Sequence, residues 1–131
     1  MKIPKFEAQT EWVKPTEFPD LRHVDEIAID LETKDPDLLK KGSGSVIGNG
    51  EVIGIAVATK HFKGYFPIGH EGGGNMDKKR VLSWLKDILE SPSTKIFHNA
   101  IYDVCWLRAM GLKINGDIAC TMIAAALTDE N

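Results

Sequence analysis

The sequence predicts an α/β layer, a mixed sheet of an antiparallel hairpin joined to parallel strands with flanking helices. Three observations predict it. Apolar and β-branched runs recur at Glu26 to Glu32, Glu51 to Lys60 and Gly64 to Ile68 before any long helical pattern appears. A 3.6-period segment then separates the third run from a short fourth one, Lys95 to Phe97, as a helical crossover separates parallel strands. The fourth run leads directly into a second helical pattern, Ala100 to Met110. The chain has 131 residues, close to one domain.

Residues 1–24 carry Pro4, Pro15 and Pro19 with isolated Phe6, Trp12 and Phe18, matching neither strand nor helix period. They read as an extended leader that docks through its aromatic rings, and residues 25–131 read as the domain. Glu26 to Glu32 alternates only weakly, as a central strand covered on both faces would. Lys40 to Gly50 (KKGSGSVIGNG) reads as a flexible hairpin connection, with Asn49 and Gly50 turning into the second strand. Gly42 and Gly44 begin a GxGxxG pattern, but Ile47 takes the third position and no helix follows, so a phosphate loop is rejected. The second and third strands pair as a hairpin, and Pro67 suits an edge.

Beyond a loose linker at Gly72, Gly73 and Gly74, Asn75 or Asp77 caps a helix with apolar positions Val81, Leu82, Leu85, Ile88 and Leu89. Ser91 and Pro92 end it. In the next helix, Ala100 to Met110, only Asp103 and Arg108 are charged; Asn99 is its cap and Gly111 its stop. A third helix is expected from Ile118 through TMIAAAL.

The formal net charge is -3, from 16 Lys and Arg against 19 Asp and Glu, which excludes a global basic field for gripping nucleic acid. Cys105 and Cys120 form no CxxC pair and read as reduced thiols. His23, His61, His70 and His98 lack zinc-ligand spacing. The amino-terminal residues lack a signal-peptide core and no run reaches membrane-spanning length, so a soluble cytoplasmic protein without membrane contact is expected.

The chemistry resides in three carboxylates. Asp30 and Glu32 are two residues apart on one strand and so share a face at its carboxyl end, where both can reach one cation. Asp103 falls in the first turn of the helix that Asn99 caps, where the positive helix end favours its ionised form. In an open α/β sheet, parallel strands bring their carboxyl ends to one crevice, so these groups converge. Gathered carboxylates repel unless a metal neutralises them, and such metals serve phosphoryl transfer.

IAIDLET, Ile27 to Thr33, resembles the first motif of DEDD-type 3′–5′ exonucleases, and KIFHNAIYD, Lys95 to Asp103, resembles the second. With GYFPIGH and CTMIAAALTDEN also in order, Asp25 to Asn131 resembles the proofreading exonuclease domain of family A DNA polymerases, of the polymerase I and phage type. The resemblance implies a ribonuclease H-like fold, C-terminally incomplete, and hydrolysis of 3′-terminal nucleotides of DNA by two divalent metal ions, Mg²⁺ or Mn²⁺. It makes Asp30, Glu32 and Asp103 the catalytic metal ligands, with Asp30 shared between the ions and Asp103 holding the second through water. Thr33 would support the terminal nucleotide, and Asn99 and Tyr102 would line the single-strand channel, Tyr102 by stacking. The implied partners are a single-stranded DNA 3′ end and a polymerase domain in a longer protein.

The chain departs from the pattern in three places. The third motif, Tyr or His followed by Asp, has no counterpart before Asn131; Cys120 replaces the aspartate that commonly precedes Thr-Met; and Pro36 stands where relatives place a leucine wedge, with Leu38 the nearest substitute. Weak or absent activity of this chain alone is therefore expected, with homodimers forming through the exposed last helix. His98 and Asp103 have the third motif's His-x4-Asp spacing, but Asn99, Tyr102 and Asp103 already fit the second, which leaves His98 a neighbour rather than the base. Two other classes are weighed: a non-catalytic single-strand-binding or scaffold module of the same fold, and an Asp-nucleophile phosphatase, which wants Asp where Glu32 stands.

Overall fold

The computed structural model describes Pro15 and residues 17–122. In chain order these form β1 (Glu26–Lys34), α1 (Leu38–Lys41), α2 (Gly44–Ile47), β2 (Glu51–Ala58), β3 (Lys63–Pro67), α3 (Lys78–Leu89), β4 (Thr94–Phe97), α4 (Ala100–Ala109) and β5 (Ile118–Cys120). The sheet runs β3-β2-β1-β4-β5. The pairs β1/β2 and β2/β3 are antiparallel, whereas β1/β4 and β4/β5 are parallel, so the mixed sheet changes direction at its central strand. As expected, Pro67 lies on an edge strand, where its missing N–H breaks no ladder.

The core packs one face of this sheet. Ile27, Ile29 and Leu31 of β1, Ile55 and Val57 of β2, Phe66 of β3 and Phe97 of β4 bury with Val81, Leu85, Ile88 and Leu89 of α3 and Trp106 and Leu107 of α4. Asp77 caps α3 by accepting the Lys79 N–H. Gly111 closes α4: at φ +81° it donates to Arg108 O, and Leu112 N donates to Leu107 O, the paired bonds of a Schellman stop. Phe18 stacks on Phe66 at 5.8 Å, and the Trp84 indole donates to Pro19 O, so the leader residues within the described part do dock through an aromatic ring. Phe6 and Trp12 lie outside the described residues.

The structure corrects four expectations. β1 is central but not covered on both faces: Ile27, Ile29 and Leu31 are buried while Asp30 and Glu32 are exposed. Its weak alternation reflects Ala28 on the open face, not burial. Lys40 to Gly50 is no flexible connection but holds α2, because Ser43 caps it and both oxygens of Asp35 accept the Gly44 N–H at 3.0 and 3.1 Å. The Gly72–Gly74 linker is tied at its ends, where His70 and Asn75 exchange two 2.8 Å hydrogen bonds. Finally, Ile118 begins β5 rather than a helix. Pairing with the otherwise open edge of β4 outweighs the helix propensity of three residues, and helix starts only at Thr121. The rest of the segment expected to be helical, and the dimerisation expected through it, fall outside the described residues.

Candidate active site

The open face of the sheet carries the carboxylates. In an antiparallel ladder opposed residues share a face, so the pairs Ala28 with Ala58, Asp30 with Ala56 and Glu32 with Gly54 lie together. Between Ala28 and Glu32, then, the two carboxylates rise from a floor of methyl groups and one bare Cα. Parallel pairing sets Ala28 against Ile96; continued two residues, that register brings Asp30 level with His98, where β4 has ended and α4 is about to begin. His98 is exposed, its Nδ1 lies 3.0 Å from Thr121 Oγ1, and its charge favours ionised Asp30. It is a neighbour of the carboxylates, as expected.

Asn99 caps α4 by accepting the Tyr102 N–H, which fixes the first turn and points Asp103 toward β1. Asp103 is 3% exposed. Contrary to the expectation that the helix end keeps it ionised, burial first, then the negative charge of Asp30, pushes its carboxyl up to about 7, against a pull from the Leu31 N–H. Asp30 is also raised, by burial and by Glu32, with His98 opposing. Asp30 is thus the electrostatic link between the other two.

Described ion pairs are Arg22 with Asp20, Lys34 with Glu71 and Lys86 with Glu90, so no described Lys or Arg pairs with this cluster, and His98 opposes its charge only at Asp30. Oxygen donors of net negative charge on the open face of the sheet fit a hard divalent cation in kind and in charge. Among the described residues no three His, Cys, Asp or Glu side chains close on one point, so a bound ion would complete its coordination with water or substrate oxygens.

The residues expected to meet the nucleotide form a second polar group. The Tyr102 hydroxyl lies 2.8 Å from Thr33 Oγ1 and donates to Asp35 Oδ2 at 2.8 Å. Through Asp35, this group also holds α2 against α4. Leu38 is 40% exposed and Leu39, beside it, almost wholly so. Cys120, in the place of the commonly found aspartate, sets its sulfur between the His98 carbonyl and the Ala100 N–H. A cavity of about 740 Å³ lined by Arg22, Asp25, Asp87 and Ser93 lies at the amino end of β1, away from the carboxylates.

Two groups of contacts went unread in the sequence. Tyr65 donates its hydroxyl to Glu32 Oε2 at 2.7 Å, and His70 Nε2 lies 2.6 Å from the Tyr65 hydroxyl oxygen. Asp35 anchors α2. The available signal for Tyr65 was Gly54, a glycine inside a strand, which marks a close approach from outside the backbone.

Among the described residues no helix is long and apolar enough to cross a membrane. A family model described as 3′–5′ exonuclease, of the DNA polymerase A type, matches residues 16–131. The chain is 35% identical over 114 residues to a DNA-directed DNA polymerase of Pseudomonas phage M6, covering 79% of this chain and 16% of the relative. It is 28% identical over 116 residues to the DNA polymerase DpoZ of Acinetobacter phage SH-Ab 15497, and likewise to that of Salmonella phage PMBT28, covering 87% of this chain and 16% of each relative. The chain thus spans about one sixth of the length of these polymerases. With the mixed sheet and the paired motifs on β1 and α4, these matches show that the chain belongs to the 3′–5′ exonuclease family of the DNA polymerase A type.

Proposed function

We propose that this chain hydrolyses 3′-terminal nucleotides of single-stranded DNA, as the exonuclease portion of a phage-type DNA polymerase working in the cytoplasm of an infected cell. One observation carries the reading: Asp30 shares the open face of β1 with Glu32 and its charge acts on Asp103 of α4, with no described Lys or Arg paired to any of the three, in a chain of this family. Asp30, Glu32 and Asp103 would hold two divalent ions, Mg²⁺ or Mn²⁺. Bound there, such ions would polarise a phosphate and make a bound water more acidic.

The chain's own residues bind and orient. Asn99 at the start of α4 and Thr33 at the end of β1 lie beside the carboxylates in the chain and would receive the terminal nucleotide. The Tyr102 hydroxyl is committed to Thr33 and Asp35, so the ring is what remains for stacking on a base. Because the described carboxylates approach in pairs only, this chain alone is expected to degrade DNA slowly. The test is shortening of a 5′-labelled single-stranded oligonucleotide in Mn²⁺ by this chain, by its Asp30→Ala variant and by the longest product of its gene. Stepwise shortening abolished by Asp30→Ala supports the reading; binding without shortening by the longest product overturns it.

A further inference from the structure

The GYFPIGH segment, Gly64 to His70, lies within the family match but holds none of the residues proposed above for metal or nucleotide. Of its two polar side chains, Tyr65 reaches one of the carboxylates and His70 meets the Tyr65 hydroxyl. Tyr65 on β3 pairs with Ala56 and leans diagonally across β2, over Gly54, to β1. Only glycine permits this path, since a Cβ at position 54 would collide with the Tyr65 hydroxyl oxygen. The hydroxyl reaches Glu32 Oε2 at 2.7 Å and lies 2.6 Å from His70 Nε2. A phenol has a single proton. Since that proton goes to the carboxylate, His70 must present Nε2–H to the phenol oxygen, and the chain of bonds runs from His70 through Tyr65 to Glu32. The backbone of His70 is fixed in turn by its two 2.8 Å bonds with Asn75.

We propose that Tyr65, admitted by Gly54 and oriented by His70, is a positioning residue for Glu32, holding Oε2 so that Oε1 faces the metal site. The inference rests on the exonuclease reading of Glu32. Partners of this kind commonly govern metal affinity about 10-fold to 100-fold without touching the ion. A glutamate on an open face has three rotatable side-chain bonds, and a carboxylate with one oxygen already fixed loses less freedom on binding a cation.

The experiment is Mn²⁺ titration of the 131-residue chain by electron paramagnetic resonance, with thermal melting in chelator alongside. Tyr65→Phe, which keeps the ring, should raise the Mn²⁺ Kd about 10-fold or more while leaving the metal-free melting temperature within a few degrees. Gly54→Ala should weaken binding similarly by displacing the hydroxyl. In a Glu32→Gln background the Tyr65→Phe effect should vanish, a coupling that a general packing role would not produce. If Glu32→Gln weakens binding but Tyr65→Phe does not, or if the two effects simply add, the inference falls and the exonuclease reading stands. If neither Asp30→Asn nor Glu32→Gln changes Mn²⁺ binding, the exonuclease reading falls and takes the inference with it.

Discussion

Replacing Asp103 with Asn should make the metal-free chain more stable at pH 8. Asp103 is 3% exposed and its carboxyl is pushed from 3.8 to about 7, chiefly by burial and then by Asp30. A folded-state pKa above the unfolded one means that the folded chain binds more protons between those values, so stability falls as pH rises from about 4 to about 7 and then levels. About three units at roughly 1.4 kcal/mol each set a ceiling of about 4 kcal/mol on what the ionised group costs. Asn keeps the shape and an acceptor for the Leu31 N–H but carries no charge. Urea unfolding in chelator across pH 4.5 to 8 should therefore show wild type losing stability with pH and Asp103→Asn staying nearly flat. The gap at pH 8 should be about 2–4 kcal/mol in favour of the variant. Asp30→Asn should recover a smaller share, because its charge is the second cause and burial the first. Adding Mn²⁺ should reverse the order, stabilising wild type but not Asp103→Asn. Parallel pH curves for the two proteins, or a variant less stable at pH 8, would refute the picture of a buried, repelled carboxylate.

Tyr102→Phe removes the hydroxyl that joins Thr33 to Asp35 and should cost about 1–2 kcal/mol. Hydrogen exchange at Gly44 and trypsin cleavage at Lys40 or Lys41 should both accelerate, and unchanged exchange would show that Asp35 holds α2 without help. Leu85→Ala, at a fully buried position on α3, should cost about 2–5 kcal/mol by urea unfolding. Lys95 is fully buried and its ammonium donates to the Ser91, Ser93 and Asn115 carbonyls, so Lys95→Met should cost about 2–4 kcal/mol by leaving those acceptors bare. Burial lowers the Lys95 pKa from 10.5, so the folded chain binds fewer protons just below that value. Wild-type stability should then rise toward pH 10.5 by an increment that the Met variant lacks.

Much of this architecture was legible in local pattern. The hairpin of β2 and β3, the crossover helix α3, the Asp77 and Asn99 caps and the Gly111 stop each depend on residues a few positions apart, and each forms as its sequence implies. β5 was hidden because Ile118 to Cys120 is too short to show a period, and only the free edge of β4 makes it a strand. α2 was hidden because Asp35, nine residues from Gly44, supplies the contact that orders a glycine-rich segment. The positions of Asp30 and Glu32 on one face follow from strand geometry alone, whereas the bond from Tyr65 spans 33 residues and crosses a strand. No local pattern encodes it, although a glycine in mid-strand leaves the space for it.

The alternation along β1 has a consequence for folding fidelity. Ile27, Ile29 and Leu31 enter the core while Asp30 and Glu32 point to the open face, so greasy and charged residues are interleaved at single-residue spacing. A slip of one residue against β2 would turn both carboxylates into the interior and expose three large aliphatic groups in the same stroke. Ionised carboxylates cannot enter an apolar interior without compensation, so a misregistered sheet is penalised by the very groups proposed for chemistry. The carboxylates thereby act as a checksum on the central strand: a molecule that misplaces them pays in stability before it can be tested for activity.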